Sequence, residues 1–183
     1  MKILISGFEP FASHTENTSQ VMIGLIPQSS SLTSVLLPVT FEEAFKKLSS
    51  EIERFKPDIV IALGLSSRRN VISLEKVAIN LIDCEYPDND GKIYRDVPVI
   101  SGAPNAYFSK LPLKEMLNVS HGTFATEISY SAGAYVCNYL MYNLLHLEQK
   151  SNFTSGFIHL PELKGNQEEI LASLNSILAL FGK

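Results

Sequence analysis

Hydrophobic residues follow two alternating patterns along the first half of the chain. Short continuous apolar runs, typical of strands buried on both faces of a sheet, cover residues 2–6, 34–39 and 58–65. Stretches with apolar residues at three- and four-residue steps, typical of amphipathic helices, cover residues 19–26 and 41–55. The run at 58–65 is the most strand-like, so we expect it to lie at the centre of the sheet.

Candidate start signals precede two of the helices. Thr40 and Glu43 have the spacing of a capping box, in which a hydroxyl and a carboxylate bond the unpaired backbone N–H groups of the first turn. Asn166 stands at the start of a last helix that runs to Leu180. The sequence therefore predicts side-chain caps from Thr40 and Asn166.

The second half continues the alternation and adds one turn. Helix-like stretches cover residues 113–119 and 134–147, and strand-like runs cover 124–130 and 156–160. The string Pro87-Asp-Asn-Asp-Gly91 is a strong turn signal, and strands on either side of it would form an antiparallel excursion from the main sheet. The repeated alternation predicts an α/β fold, a three-layer α/β/α sandwich with a mixed, mostly parallel twisted sheet.

Length and charge restrict the functions open to this chain. The 183 residues suit one domain spanning positions 1–183, and no linker or repeat divides them. A net charge of −4 argues against a nucleic-acid or anionic membrane partner. No run approaches the roughly 18 consecutive apolar residues of a membrane span, and the first residues lack the longer apolar stretch of a signal peptide. We therefore expect a cytoplasmic protein.

Metal and nucleotide sites have no support in the sequence. The chain contains two cysteines and four histidines, but no Cys-x-x-Cys or His-Glu-x-x-His string that would indicate zinc ligands. The first apolar run is followed by Gly7-Phe-Glu-Pro, which lacks the glycine pattern or the lysine of nucleotide-binding loops. We expect no metal and no cofactor.

Two residues stand apart from the predicted core. Cys137 lies just inside the predicted helix 134–147, where the positive end of the helix dipole favours the thiolate. His159 lies near the end of the predicted strand 156–160, and strand ends of α/β sheets line ligand crevices. Each also has a structural interpretation, because a single cysteine or histidine is more often a packed residue than a catalytic one. Spacing alone neither pairs the two residues nor selects a third partner such as Glu75.

The other histidines and the second cysteine have ordinary settings. His14 lies in a polar loop, His121 in a turn and His146 near the end of a helix. Cys84 precedes a turn and has no recognisable partner. We interpret all four as structural or surface residues.

Five strings spread over most of the chain resemble one known family. They are, in order, Gly7-Phe-Glu-Pro-Phe11, Glu75-Lys-Val-Ala-Ile-Asn80, Pro87-Asp-Asn89, Ser131-Ala-Gly-Ala-Tyr-Val-Cys-Asn138 and Gly156-Phe-Ile-His-Leu-Pro161. Each string alone is moderately specific, but their shared order makes coincidence implausible. On these strings the chain resembles the pyrrolidone carboxyl peptidases, or pyroglutamyl-peptidase I, which are cysteine peptidases with an α/β/α sandwich fold.

The resemblance implies an activity and a set of site residues. It implies a thiol peptidase that removes N-terminal pyroglutamate from peptides through an acyl-enzyme, without a metal or cofactor. The catalytic residues would be Cys137 as nucleophile, His159 as base and Glu75 as the acid that orients the base. The family commonly forms dimers or tetramers, so a homo-oligomer is expected. The positions that match the lactam slot and its surroundings are Phe8, Phe11, Asn17, Tyr135 and Val136.

The sequence departs from the family pattern at three places. Phe11-Ala-Ser13 and Ser67-Arg-Arg69 stand where the family has Phe-Gly-Gly and Gly-Gly-Arg, and the lost glycines restrict approach of the backbone to a ligand. Glu85 stands where the family often has an arginine, and an anion near the thiol would raise the pKa of Cys137. These departures leave an alternative open, a catalytically weakened member that binds a lactam or peptide ligand in the same cleft.

Overall fold

The computed structural model describes residues 1–12, 14–120 and 122–182. Ser13 and His121 lie outside these ranges, and so do the loop departure at Ser13 and the turn predicted at His121. Within the described ranges the chain forms eight strands and five helices. In chain order they are β1 (Ile3–Phe8), α1 (Thr18–Leu25), β2 (Leu32–Leu37), α2 (Phe41–Phe55), β3 (Ile59–Leu65), β4 (Ile72–Glu75), β5 (Val77–Ile79), β6 (Ala106–Phe108), α3 (Leu113–Ser120), β7 (Thr126–Ser129), α4 (Val136–Glu148), β8 (Thr154–Leu160) and α5 (Gln167–Ala179).

Six of the strands form one mixed sheet in the order β2-β1-β3-β8-β4-β7. The neighbours β2, β1, β3 and β8 run parallel, whereas β4 runs antiparallel to β8 and parallel to β7. All seven residues of β3 are buried, as expected of a continuous apolar run in a sheet covered on both faces. The predicted mixed, mostly parallel sheet is confirmed, and the run at 58–65 lies at its centre.

Helices cover both faces of the sheet. Side chains along β1 and β3 alternate between two cores, with Leu4 and Val60 in one and Ile5 and Ile61 in the other. The first core also holds residues of α2 and α4, and the second holds residues of α1, α3 and α5. The three-layer α/β/α sandwich is therefore confirmed. Among the described residues, no helix combines the length and the apolar character that a membrane crossing requires.

A second, two-stranded sheet follows β4. It pairs β5 with β6 in antiparallel orientation, and one further antiparallel bridge joins Ile82 to Val97. The antiparallel excursion is thus present, but its paired strands lie farther from the turn at 87–91 than the sequence predicts. The side-chain amide of Asn138 attaches this excursion to α4, because it bonds the backbone of Ile79 and the carbonyl of Leu81.

The side-chain caps predicted for α2 and α5 are wrong. Thr40 occupies the N-cap position of α2, but its hydroxyl is buried without a hydrogen-bond partner among the described residues. The backbone N–H of Phe41 instead donates to Oδ2 of Asp88 at 3.0 Å. Oδ1 of Asn166 accepts from the backbone N–H of Lys164 and not from α5. The cap of α2 comes from a residue 47 positions away, which local spacing cannot reveal, whereas the amide of Asn166 turns back to the residue two positions before it.

Candidate active site

The pairing of β4 with β8 brings Glu75 and His159 together. Glu75 lies opposite Phe157 in this antiparallel pair, so His159, two positions further along, is its diagonal neighbour on the same face. Nδ1 of His159 lies 2.7 Å from Oε1 of Glu75, and both side chains are buried. A carboxylate at Nδ1 leaves Nε2 as the ring nitrogen that can exchange a proton with a reactant.

The thiol of Cys137 packs over Gly64 of β3, the strand that pairs with β8. Cys137 is the second residue of α4, and its Sγ is 3.0 Å from the place that a Cβ on Gly64 would occupy. Gly64 is the register partner of His159 in the parallel pair of β3 and β8, so the thiol and the imidazole share one face of adjacent strands. Among the described residues, the imidazole bonds Glu75 and makes no hydrogen bond with Sγ. The three predicted catalytic residues therefore gather at one place.

The first turn of α4 presents unpaired backbone N–H groups beside the thiol. Tyr135 occupies the N-cap position without a side-chain hydrogen bond, and the N–H of Tyr139 bonds its carbonyl. The N–H groups of Val136, Cys137 and Asn138 find no acceptor within the described part of the chain. Such groups carry the positive end of the helix dipole and bind anions.

Arg69 is a site residue that the sequence interpretation missed. Its Nη1 donates to Oε1 of Glu75 at 2.6 Å, and its Nη2 donates to the backbone carbonyl of Ser131 at 2.7 Å. Oε1 of Glu75 therefore has two contacts, whereas Oε2 is buried without a partner in the described structure. The sequence did contain a signal, because Arg69 stands where the family has the arginine of Gly-Gly-Arg.

The surroundings of Cys137 raise the pKa of its thiol. Burial, as the main cause, and the charge of Glu75 raise the pKa of Cys137 to about 12, while the charge of Arg69 opposes them. The raised pKa argues against the resting thiolate expected at the helix start, because burial penalises the charged form of the thiol. The expected influence of Glu85 is wrong, since its side chain is exposed and it is not among the groups that shift the pKa of the thiol.

Comparison with known proteins assigns the chain and its fold to one family. A family model described as pyroglutamyl peptidase matches residues 1–173. The chain belongs to the pyroglutamyl peptidase family. The resemblance carried by the five strings is thus confirmed, and the chain is an enzyme, a hydrolase of the cysteine peptidase class.

Relatives of this pyroglutamyl peptidase family member agree in name and fold. The pyrrolidone-carboxylate peptidase of Pyrococcus furiosus is 42% identical over 168 residues, which make up 88% of this chain and 81% of that protein. The pyrrolidone-carboxylate peptidase of Enterococcus faecalis is 37% identical over 169 residues, or 89% of this chain and 79% of that protein. The fold also matches a crystal structure from a study of the Pyrococcus furiosus pyrrolidone carboxyl peptidase and its cysteine-free mutant. The TM-score is 0.90 at 34% sequence identity, and the match covers 98% of this chain and 97% of that one.

Three of the five predicted substrate residues of this family member are buried. Phe8 is 2% exposed and Val136 is fully buried, so both support the site from within the core. Asn17 is buried as well, and its Oδ1 accepts from the N–H and the hydroxyl of Ser19 while its Nδ2 donates to the carbonyl of Glu9. Its amide thus holds the segment between β1 and α1, and a direct contact of these three residues with substrate stays a prediction.

Phe11 and Tyr135 are the two predicted substrate residues that keep accessible surface. The ring of Phe11 packs against His14, with 5.2 Å between the ring centroids. The hydroxyl of Tyr135 donates to the carbonyl of Pro87 at 2.9 Å, and its ring packs edge-on against Phe41. These two aromatic residues are therefore the better placed of the five for direct contact with a ligand.

An open cleft of about 260 Å³ lies at the carboxyl ends of β3 and β8. The hydroxyl of Thr18, on its wall, donates to the carbonyl of Pro161, two residues after His159. Cys137, His159 and Glu75 are not among its lining residues. The residues that line the cleft are His14, Thr15, Glu16, Thr18, Leu65, Glu162 and Leu163.

Proposed function

We propose that this chain removes N-terminal pyroglutamate from peptides, with Cys137 as nucleophile, His159 as general base and Glu75 as the acid that orients the base. The observation that carries the proposal is the buried 2.7 Å contact between Nδ1 of His159 and Oε1 of Glu75, one strand away from the thiol. Family membership supports the same activity, because the named relatives are pyrrolidone-carboxylate peptidases.

The first half of the reaction forms an acyl-enzyme. Nε2 of His159 takes the thiol proton as Sγ of Cys137 attacks the carbonyl carbon that joins pyroglutamate to the next residue, forming the C–S bond. The C–N bond then breaks, and the leaving amine takes the proton from Nε2. Because the pKa of Cys137 is raised to about 12, the thiol starts neutral and the proton moves only during attack. The sulfur and the imidazole approach hydrogen-bond distance in the substrate complex, as apo sites often hold such groups apart.

The second half of the reaction releases the product. A water molecule gives a proton to Nε2 of His159 and attacks the thioester carbon. The C–S bond breaks, pyroglutamic acid leaves and the proton returns to the sulfur of Cys137. In both halves the negative carbonyl oxygen is stabilised by the unpaired N–H groups at the start of α4.

Recognition of the lactam needs a flat, mostly apolar slot. Pyroglutamate carries no ammonium group, so carboxylates that bind a free N-terminus are of no use, and aromatic walls with backbone hydrogen bonds suit it instead. We assign the accessible walls to Phe11 and Tyr135 and the supporting layer to Phe8, Val136 and Asn17. No observation favours the alternative of a catalytically weakened ligand-binding member, because Glu85, the residue that kept it open, does not shift the pKa of Cys137.

Hydrolysis of a chromogenic pyroglutamyl anilide tests the proposal. We expect turnover by the wild type, complete loss in Cys137→Ser and retained turnover in Cys84→Ser. Cys84 is a matched control, since it is a buried cysteine whose sulfur, in the described structure, forms hydrogen bonds only with the backbone of Tyr94. A folded wild type without turnover, or a Cys137→Ser variant that keeps it, would refute the proposal.

Three expectations about the whole molecule stay proposals. The first is a cytoplasmic location, which is supported by the two unpaired thiols, because the cytoplasm is reducing. The homo-oligomer, a dimer or a tetramer, is tested by light scattering on the purified chain. The single domain at 1–183 is tested by one cooperative unfolding transition seen with two different probes.

A further inference from the structure

We propose that Arg69 is a positioning residue that joins the acid of the catalytic triad to the segment carrying the nucleophile. The inference deepens the proposed function and rests on it. Arg69 is the residue whose two contacts connect β4, through Glu75, with the loop that leads from β7 to α4, through Ser131. It touches neither Cys137 nor His159 by a hydrogen bond in the described structure, so it acts through the residues that it holds.

The first contact compensates the charge of a fully buried carboxylate. Glu75 is 0% exposed, and a buried anion with a single partner is unfavourable. Oε1 is shared by Nη1 of Arg69 and Nδ1 of His159, while Oε2 finds no partner among the described residues. Arg69 therefore compensates part of the charge of the carboxylate that orients the imidazole.

The second contact fixes the approach to α4. Nη2 of Arg69 bonds the carbonyl of Ser131, six residues before Cys137, and Gly133 follows with a positive φ of 82°. A positive φ at Gly133 allows the chain to turn into the helix, but the same freedom leaves the segment without intrinsic rigidity. The planar guanidinium presents two donors in a fixed fork, so one side chain sets the distance between this segment and Glu75.

Arg69 also acts on the thiol through its positive charge. The groups that face Cys137 are Glu75 on β4, His159 on β8, Tyr135 at the start of α4 and Arg69 itself. Of these, Arg69 alone lowers the pKa of Cys137, by the attraction between its charge and the thiolate. The neighbouring Arg68 is exposed and forms no ion pair within the described part of the chain, so it is a matched control.

The steady-state test compares Arg69→Gln, Arg69→Lys and Arg68→Gln in the anilide assay. We expect Arg69→Gln to lose roughly 100-fold in kcat, the scale of a misplacement of about 1 Å, with KM changed less than about threefold. Arg68→Gln should stay within about twofold of wild type. A loss confined to KM would mean that Arg69 contacts substrate, and unchanged kinetics of Arg69→Gln would overturn the inference.

Arg69→Lys separates the effect of the two hydrogen bonds of Arg69 from the effect of its positive charge. Lysine keeps the positive charge but offers no fork that reaches both Glu75 and Ser131, so kcat should remain well below wild type. Full recovery of kcat in Arg69→Lys would show that charge alone suffices and would overturn the positioning role. This comparison also stands if Arg69→Gln fails to fold, as judged by circular dichroism.

Alkylation of Cys137 gives a readout that does not depend on turnover. Reaction with iodoacetamide is followed by mass spectrometry of the peptide that contains Cys137, at a fixed, mildly alkaline pH. We expect the alkylation of Arg69→Gln to be roughly tenfold slower, since loss of one nearby charge shifts a pKa by about one unit. Arg69→Lys and Arg68→Gln should react nearly as fast as wild type. If the wild type lacks turnover but this difference is present, the proposed peptidase fails while the coupling of Arg69 to the thiol stands. If turnover is present and the difference is absent, the Arg69 inference fails alone.

Discussion

At the scale of single residues, the site depends on the missing side chain of Gly64. A Cβ at this position would lie 2.7 Å from the ring of Phe157 and 3.0 Å from Sγ of Cys137. Real Cβ atoms do not approach ring carbons so closely, so the thiol and the ring use space that any other residue would fill. Gly64 is therefore required by the position of Cys137 above β3, and its backbone conformation plays no part.

Gly64→Ala should reduce peptidase activity more than tenfold while the protein stays folded. The methyl group displaces Sγ and the ring of Phe157 from the face that carries His159, and small displacements of a nucleophile are costly. Anilide hydrolysis and thermal melting measure the two effects. The matched control is Gly24→Ala in α1, where a Cβ meets nothing within 4 Å. That variant should keep full activity and gain about 0.5–1 kcal/mol of stability. Equal activity of the two variants would contradict the role assigned to Gly64.

At the scale of elements, α2 is started by a loop that is distant in sequence. Asp88 is buried, and its Oδ2 accepts from Phe41 while its Oδ1 accepts from the backbone N–H groups of Asp90 and Lys92. One carboxylate therefore holds both the start of α2 and the turn that follows Asp88. The preceding Pro87 accepts the hydroxyl of Tyr135, so the same turn reaches the start of α4.

Asp88→Ala should lower the free energy of unfolding by about 1–3 kcal/mol, because it leaves the buried N–H of Phe41 unpaired and so removes the cap of α2. Thr40→Val should change it by less than about 0.5 kcal/mol or raise it, because the Thr40 hydroxyl is buried without a partner in the described structure. Urea denaturation of both variants measures the difference. If Thr40→Val proves the more damaging of the two, the local capping box is right and the long-range cap is wrong.

At the scale of the whole molecule, three groups with raised pKa values make the stability of the fold depend on pH. Burial is the first cause that raises the pKa of Cys137, Tyr135 and Tyr142, each to about 12. Two of them flank the start of α4, and the third lies in the middle of that helix with its hydroxyl bonded to the carbonyl of Pro104. The packing of α4 against the sheet therefore depends on their neutral forms.

Stability should fall steadily as the pH rises from about 9 to about 12. In the unfolded chain these groups lose protons near their ordinary pKa values of 9.0 and 10.0, whereas the folded chain keeps them protonated up to about 12. Below the pKa of the unfolded chain, each group contributes nothing to the pH dependence of stability. Above that pKa, ionisation stabilises the unfolded state and lowers the free energy of unfolding. Urea midpoints over this pH range test the slope. Cys137→Ser should show a shallower decline, and an identical slope in that variant would rule out a contribution from the thiol.

Much of the fold could be predicted from the sequence because burial determines hydrophobic periodicity directly. The helix 41–55 and the strand 58–65 are found within one residue of their predicted bounds, as α2 and β3. The prediction failed where partners are distant in sequence. The cap of α2 and the pairing of β5 with β6 depend on segments that only the folded chain brings together.

The sequence by itself determined the layers, the central strand and two chemically suited positions, a thiol at a helix start and an imidazole near a strand end. It determined the family as well, through five short strings. Only the tertiary structure decided that Glu75 is the partner of His159, because this contact needs β4 to run antiparallel beside β8. It also decided that Arg69, which precedes β4, folds back onto Glu75, and that the pKa of Cys137 is raised. Periodicity reports which face of an element is buried, whereas the pKa of a thiol depends on the charges and the desolvation that the neighbouring elements impose.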